Sequence, residues 1–242
     1  PSGPDVLGIA THAARAAGLP LIVHTGFDRP ASLSPEEIHR HQVRLLQMLD
    51  KGDVLTHVFT GKDGGFFPEG EPIPELQAAL ERGVLLDVTP GLSHINFTVA
   101  RRAIRKGFVP DLLGTDAVKR VEAEPHFYSV PVVMSKMIAL GVPLERVVAM
   151  ASSTPSRVLG VNDERGPLES GAPADLSVLR LHEGEFLFHD GASGNTVPGT
   201  VMLTPERVIR SGRSHEPSDT YRTHLPTPEV MSAAIESRTR GK

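Results

Sequence analysis

The chain has 242 residues, with 25 Lys and Arg against 29 Asp and Glu, a net charge of −4 and no cysteine. A near-neutral charge with no basic stripe excludes the electrostatics of a nucleic-acid binder, and no apolar run reaches the roughly 18 residues a membrane span needs. The absence of thiols excludes disulfides, thiolate catalysis and Cys-ligated zinc, so any metal must sit on His, Asp or Glu. With 39% hydrophobic and 22% charged residues, the composition is that of an ordinary globular protein able to bury a core, and the cytoplasm is the expected compartment. The first residues have no secretory-leader pattern. Pro1 rather than Met opens the sequence, so a processed chain or a fragment is expected.

Apolar runs and amphipathic stretches alternate along the first two thirds. Val6, Leu7, Ile9, Ala10, Ala13 and Ala14 predict a helix over 4–18, with Gly18 as its C-cap. Pro20-Leu21-Ile22-Val23 is a short apolar strand ending at His24. Ser34-Pro35-Glu36-Glu37 supplies an N-cap, a first-turn proline and two acids for a helix that runs to Leu49 and stops at Gly52. Asp53-Val54-Leu55-Thr56 is the next strand and ends at His57. A helix over 73–82, a strand over 83–88 and a helix over 97–106 follow. The run Asp111-Leu112-Leu113-Gly114-Thr115 then leads into Asp116. Helices are expected near 130–140 and 144–152, with a last short one from Thr154-Pro155. From Gly166 the helical period fades and short β-type runs appear at 176–179, 186–188, 200–203 and 208–209. From Ser214 a polar tail rich in Ser, Thr, Pro and Arg begins.

The strand ends recur at about 30-residue intervals, the length of one βα unit, and short apolar strands alternating with helices indicate a parallel sheet. In a barrel of such units the C-terminal strand ends face the active site. His24, His57 and Asp116 would then converge although distant in sequence. Two neutral imidazoles and a carboxylate suit zinc or a similar divalent ion, which lowers the pKa of bound water to about 7. A single His after an apolar run is more often a structural group; three such residues at one pitch are harder to explain that way. From the pattern alone both readings stand. Lys62, in the loop Lys62-Asp63-Gly64-Gly65 beside the His57 strand end, and His126, in the loop after Asp116, are candidates for substrate contact. The plainer readings are a mobile loop and a solvated histidine. His12, His39 and His41 lie on predicted helices and read as surface. No G-x-S-x-G motif is present, which counts against a serine hydrolase.

Four segments, taken in order, resemble one family. Leu19-Pro20-Leu21-Ile22-Val23-His24-Thr25-Gly26 resembles strand five of the amidohydrolase superfamily, and Leu55-Thr56-His57-Val58-Phe59-Thr60-Gly61-Lys62 its strand six. Phe108-Val109-Pro110-Asp111 leading to Gly114-Thr115-Asp116 resembles strand eight. Gly166-Pro167-Leu168 through Gly171, then Ala174-Asp175-Leu176, resembles the return from the barrel to a flanking β-sandwich. Within the superfamily the dihydroorotase-like deacetylases are the most similar subgroup, also across 79–87 and Met134-Ser135-Lys136. The resemblance covers roughly 4–210.

The resemblance implies an α/β fold, the second half (strands five to eight) of a TIM-type (β/α)8 barrel over 1–165. Part of a small β-sandwich would occupy 166–213 and a polar tail 214–242. It implies metal-dependent hydrolysis of an amide carbon–nitrogen bond in a small molecule, such as deacetylation of an N-acyl compound by a metal-bound hydroxide. The cofactor would be a divalent metal, zinc in the first instance, as one or two ions. His24 and His57 would hold the second metal. Asp116 would bind the first and pass a proton to the leaving nitrogen. A cyclic amidase of dihydroorotase or imidase type and a non-catalytic scaffold are the alternatives. The superfamily's His-x-His of strand one and carboxylated lysine of strand four have no counterpart in this chain, so a missing N-terminal portion of the same protein is the expected partner, and a homo-oligomer is a further expectation. Thr89-Pro90-Gly91 stands where the subgroup has Gly-His-Gly, and Val58 where it often has Cys. The nearby His94 is either a substitute for that histidine or a residue solvating a helix start, and the second is the plainer reading.

Overall fold

The computed structural model describes residues 5–91, 93–117, 129–161, 168–191, 194–217, 226–227 and 229–230. Two units divide the chain: Pro1–Thr89 with His94–Leu112, and Pro90–Ser93 with Leu113–Lys242.

In the first unit the apolar runs become three very short parallel strands, β1 (Ile22–His24), β2 (Val54–Thr56) and β3 (Leu85–Asp87), ordered β1-β2-β3. Ile22 pairs with Val54 and His24 with Thr56; Val54 pairs with Leu85 and Thr56 with Asp87. The strand ends are therefore level. The fourth apolar run contributes a single bridge, Asp87 to Leu112, with the Val88 N–H donating to the Leu112 carbonyl at 3.0 Å.

The helices between them are α1 (Val6–Ala17), α2 (Pro35–Met48), α3 (Leu76–Glu81) and α4 (Phe97–Arg105). Their ends follow local chemistry. Ser34 makes a capping box for α2: its Oγ accepts from the Glu37 N–H at 3.2 Å, and Glu37 accepts from the Ser34 N–H at 2.8 Å. Asn96 accepts from the Thr98 and Val99 N–H groups at the start of α4. Gly18 closes α1 at φ 65°, a left-handed conformation that costs glycine nothing. An aromatic cluster joins the segment after β2 to the turn after α4, with the Phe67 ring edge-on to Phe59 at 6.0 Å and to Phe108 at 5.2 Å.

Asp53 ties α1 to the feet of β1 and β2. Its fully buried carboxylate accepts from the Arg15 guanidinium twice, from the Leu21 N–H at 2.8 Å and from the Asp50 N–H at 2.9 Å. Burial pushes this carboxyl up, but the hydrogen bonds from Arg15, Asp50 and Leu21 outweigh it and hold the group below the ordinary aspartate value.

In the second unit α5 (Val130–Ala139), α6 (Leu144–Ala151) and α7 (Ser153–Val158) precede an antiparallel sheet of β4 (Leu176–His189), β5 (Thr196–Arg210) and β6 (Arg213–His215). The four short β-type runs of the sequence are pieces of two long strands. Gly184, Pro198, Gly199 and Pro205 carry local signals for breaks, yet the hairpin runs through them: Gly184 and Pro205 lie at the register shifts Glu183/Phe186 and Val178/Leu179, where bulges tolerate such residues, and Pro198 and Gly199 pair in register with Leu187 and Phe186. Gly199 also leaves room for the Phe188 ring, which a Cβ there would meet at 2.6 Å. The Ser135 hydroxyl, on the buried face of α5, donates to the Pro131 carbonyl and accepts from the Leu203 N–H of β5. The expected boundary at 165/166 lies outside the described residues, and β6 takes up the first residues of the expected polar tail.

Candidate metal centre

Because β1 and β2 are parallel and level, His24, the last residue of β1, and His57, the first after β2, leave the sheet side by side. Thr25 fastens the two exits, its N–H donating to the Thr56 carbonyl at 3.2 Å and its hydroxyl to the same oxygen at 2.7 Å. His57 has φ 63°, a left-handed conformation uncommon outside glycine. Its ring is 4% exposed. Its Nδ1 lies 2.5 Å from the Thr89 carbonyl. A carbonyl only accepts, so Nδ1 carries the hydrogen, and in the neutral ring Nε2 is then the nitrogen that can ligate.

His94 completes a trio. Its ring stacks on His57 at 4.3 Å with 29° between the planes and stands edge-on to His24 at 4.8 Å; His24 and His57 are 4.4 Å apart. One ring nitrogen of each lies within 4.8 Å of the others. With Zn–N of about 2.0–2.1 Å, a tetrahedral site spaces its nitrogens by about 3.3 Å. His24 is exposed, while the His57 ring is held by the Thr89 carbonyl. Beside the trio, at the end of β3, is Asp87, which accepts from the Thr56 hydroxyl. Burial pushes the Asp87 carboxyl above its ordinary value, against hydrogen bonds from Thr56 and Thr89 and the nearby His57.

Asp116 belongs to the second unit. It is exposed and has φ 50°. Gly91 faces it, its N–H donating to the Thr115 carbonyl at 3.2 Å, and a Cβ on Gly91 would lie 2.6 Å from Asp116 Oδ2. His57 and Asp116 are two of the four non-glycine residues with positive φ among those described; the others are Glu69, in a short 3-10 segment, and Ser211, in a turn. Sparsely populated backbone of this kind tends to cluster at functional sites.

The loop carrying Lys62 is tied down. Phe27 bridges to Asp63, its N–H donating at 2.9 Å, and Lys62 Nζ lies 3.1 Å from Asp28. Lys62 lines a cleft of about 980 Å³ together with Arg29, Asn96 and Arg102, and His24 lines an adjoining one of about 280 Å³. His126 lies outside the described residues. Sequence reasoning gave His94 its plainer reading and passed over Asp87 and the Thr89 carbonyl. The available signal was position: Asp87 ends β3 within the third apolar run, and Thr89 and His94 follow that run, as the other histidines end or follow theirs.

The chain is similar to several known proteins. A deacetylase of Enterococcus faecalis is 27% identical over 200 residues, which are 82% of this chain and 51% of that protein. A deacetylase of Agrobacterium fabrum is 30% identical over 173 residues, 71% of this chain and 40% of that one. The crystal structure of an adenine deaminase superposes with a TM-score of 0.75 at 25% identity, covering 87% of this chain and 55% of the other. That of a dihydroorotase gives 0.71 at 25%, covering 88% and 55%. The chain thus spans about half the length of the relatives it matches. The parallel strands with histidines at their ends, and these structural neighbours, place the fold in a TIM-barrel class. The sequence profile of the amidohydrolase family matches residues 3–213, and the chain belongs to that family. Among the described residues no helix is long and apolar enough to cross a membrane.

Proposed function

We propose that this chain supplies one half of a divalent-metal active site that hydrolyses an amide carbon–nitrogen bond in a small molecule, in the first instance an N-acyl group. The observation that carries this reading is the convergence of ring nitrogens from His24 and His57, at the C-terminal ends of adjacent parallel strands, with a third imidazole beside them. In barrels that end carries the chemistry. In this reading β1, β2, β3 and the run 111–115 are strands five to eight, and the hairpin is part of the flanking β-sandwich. The free edge of β1 supports it. Among the described residues no strand pairs beyond β1, and Val6, Ile9, Leu19 and Ile22 are each at least 60% exposed. A parallel sheet is normally covered on both faces, and an N-terminal portion carrying the first four strands would cover this one.

The donor set fits a metal: imidazoles without a competing ammonium in the trio, one of them with its tautomer fixed for coordination. Zinc is the ion such ligands suit best. When bound, a divalent ion supplies Lewis acidity toward the substrate carbonyl and acidifies water. His24 and His57 hold it, and the Thr89 carbonyl keeps the His57 ring in orientation. Asp116 takes the proton of the attacking water and delivers it to the leaving nitrogen, as a general base and then a general acid. Lys62, with Arg29 and Arg102 along the same cleft, binds a carboxylate on the leaving group, and His126 is a second substrate contact. The likeness to a dihydroorotase structure favours a cyclic amide as the second substrate class.

The test uses the full-length protein, zinc-loaded and assayed against N-acetyl amino acids, hydantoins and dihydroorotate. We expect turnover of at least one N-acyl compound, lost on chelation and restored by zinc. A metal-replete protein that turns over no amide would sink the proposal. Lys62→Met is expected to raise KM for carboxylate-bearing substrates about 10- to 100-fold, the loss of a hydrogen bond to a charged group, with kcat nearly unchanged. Initial rates on matched acid and primary-amide substrates check it, because the amide should show no such penalty. Gly91→Ala is expected to lower kcat by about 10-fold or more, because its Cβ displaces Asp116 and small misplacements of a reacting group are costly. A full kcat for that variant would remove Gly91 from the positioning of Asp116.

A further inference from the structure

We propose that the small apolar cleft beside His24 is an acyl subsite, and that it takes acyl groups of about five to eight carbons rather than acetyl. This rests on the proposed hydrolysis of an N-acyl group and names the acyl class, which that reading leaves open.

The two adjoining clefts differ in chemistry. Charges of both signs face the larger one: Arg29, Lys62 and Arg102 line it together with Asp28, Asp63 and Glu69. The smaller one, of about 280 Å³, has no Lys, Arg, Asp or Glu in its lining. Leu33, Ile38, Leu45 and Phe66 line it, drawn from the loop after β1, from α2 and from the segment after β2. Two polar side chains in its wall are engaged elsewhere. The Thr25 hydroxyl donates to the Thr56 carbonyl at 2.7 Å, and the Gln42 amide donates to the Gly65 carbonyl at 2.7 Å. A group entering this cleft meets mainly carbon and gains by leaving water.

Which part of the substrate enters follows from His24, which lines this cleft and not the charged one. In the proposed reaction the scissile carbonyl lies at His24 and His57 and carries two substituents, the leaving nitrogen and the acyl chain. The leaving group lies along the charged cleft with Lys62, so the apolar cleft is left to the acyl chain. Phe27 lines both clefts and is 39% exposed. It is nevertheless anchored. Its N–H donates to the Asp63 carbonyl at 2.9 Å, and its ring lies so close over Gly64 that a Cβ there would come within 2.3 Å of it. An aromatic side chain fixed in advance gives a ligand a wall at little cost in entropy.

The volume selects the chain length. A water takes about 30 Å³, so the cleft holds about nine groups of that size. With the mouth at His24 and His41 left to the carbonyl, about five to eight carbons fill the rest, whereas acetyl brings one methyl. A different groove, lined by Val6, Leu7, Ala10 and Ile22, follows the free edge of β1. It shares only His24 and His41 with the acyl cleft, so strands added along that edge leave the apolar side chains of the acyl cleft to the substrate.

The experiment measures initial rates of the full-length, zinc-loaded protein on one amine acylated with acetyl, butanoyl, hexanoyl and octanoyl groups, for wild type, Leu45→Trp and Leu33→Trp. The two tryptophans fill the cleft from different elements, and circular dichroism identifies a variant that fails to fold. We expect wild-type kcat/KM to rise by about fourfold per methylene, and by at least about tenfold from acetyl to hexanoyl. A folded tryptophan variant should lower the hexanoyl-to-acetyl ratio of kcat/KM by about tenfold or more. A wild-type series that is flat or falls with chain length overturns the acyl subsite and leaves amide hydrolysis standing, and so does a ratio that folded variants do not change. A metal-replete protein that turns over no member of the series overturns the N-acyl reading and the subsite with it.

Discussion

Asp116→Asn is expected to cut kcat of the full-length, zinc-loaded protein by about 10³-fold or more while leaving its unfolding free energy in urea within about 0.5 kcal/mol of wild type. General acid–base catalysis alone contributes about 10²- to 10⁴-fold, and an amide can neither take a proton from water nor bind a cation as a carboxylate does. The fold is spared for two reasons. Asp116 is exposed, and its φ of 50° is a conformation that asparagine, like aspartate, adopts more readily than other side chains. Asp116→Ala is the poorer variant, because it adds backbone strain to the loss of the carboxylate. Single-turnover rates measured beside elemental analysis of each preparation decide the matter. A variant holding its full metal complement and turning over within tenfold of wild type would remove Asp116 from the mechanism.

His24 and His57 were legible in the sequence because they end apolar runs one βα unit apart, and parallel strands in register turn equal pitch into adjacency. The helix ends were legible for a local reason: Ser34, Asn96 and Gly18 act within three or four residues of themselves. His94 was not legible. It ends no strand, and the loop that carries it is joined to the segment after His57 by a long-range hydrogen bond from Asn96 to Phe59 that no periodicity announces. The hairpin misled in the opposite direction. Pro198 and Pro205 carry strong local signals for a break, yet the cross-strand pairing from Leu176 to His189 runs past both, with Pro198 in register opposite Leu187 and Pro205 beside the Val178/Leu179 bulge. The run 111–115 looked as strand-like as 54–56 but forms only the Leu112 bridge, since strand assignment depends on the partner as well as on the run itself.

Asp53 carries the largest expected effect on stability. Asp53→Ala removes a carboxylate that is 0% exposed, leaves the Leu21 and Asp50 N–H groups without their acceptor, and leaves the Arg15 guanidinium with Asp50 alone. Breaking a buried ion pair costs about 3–5 kcal/mol. Arg15 is 35% exposed and recovers water, which places the expected loss near the lower end, about 3 kcal/mol. Asp53→Asn keeps one acceptor and should lose less. The sign of the pH dependence separates the charge from the packing. The folded-state pKa of Asp53 lies below its unfolded value of about 3.9, so its contribution is fully present above that unfolded value and is lost as pH falls through the depressed one. Asp87 has the opposite sign: with its folded pKa raised by burial, its contribution is greatest below about pH 3.9 and wanes as pH rises through the raised value. Urea unfolding of wild type, Asp53→Asn and Asp87→Asn from pH 3 to pH 7 resolves the two. The gap between wild type and Asp53→Asn should narrow toward pH 3, while Asp87→Asn should fare best, relative to wild type, at pH 7. Equal midpoints for wild type and Asp53→Asn at pH 7 would mean that Arg15 and the two N–H donors find other partners, and that Asp53 does not hold α1 to the strand feet.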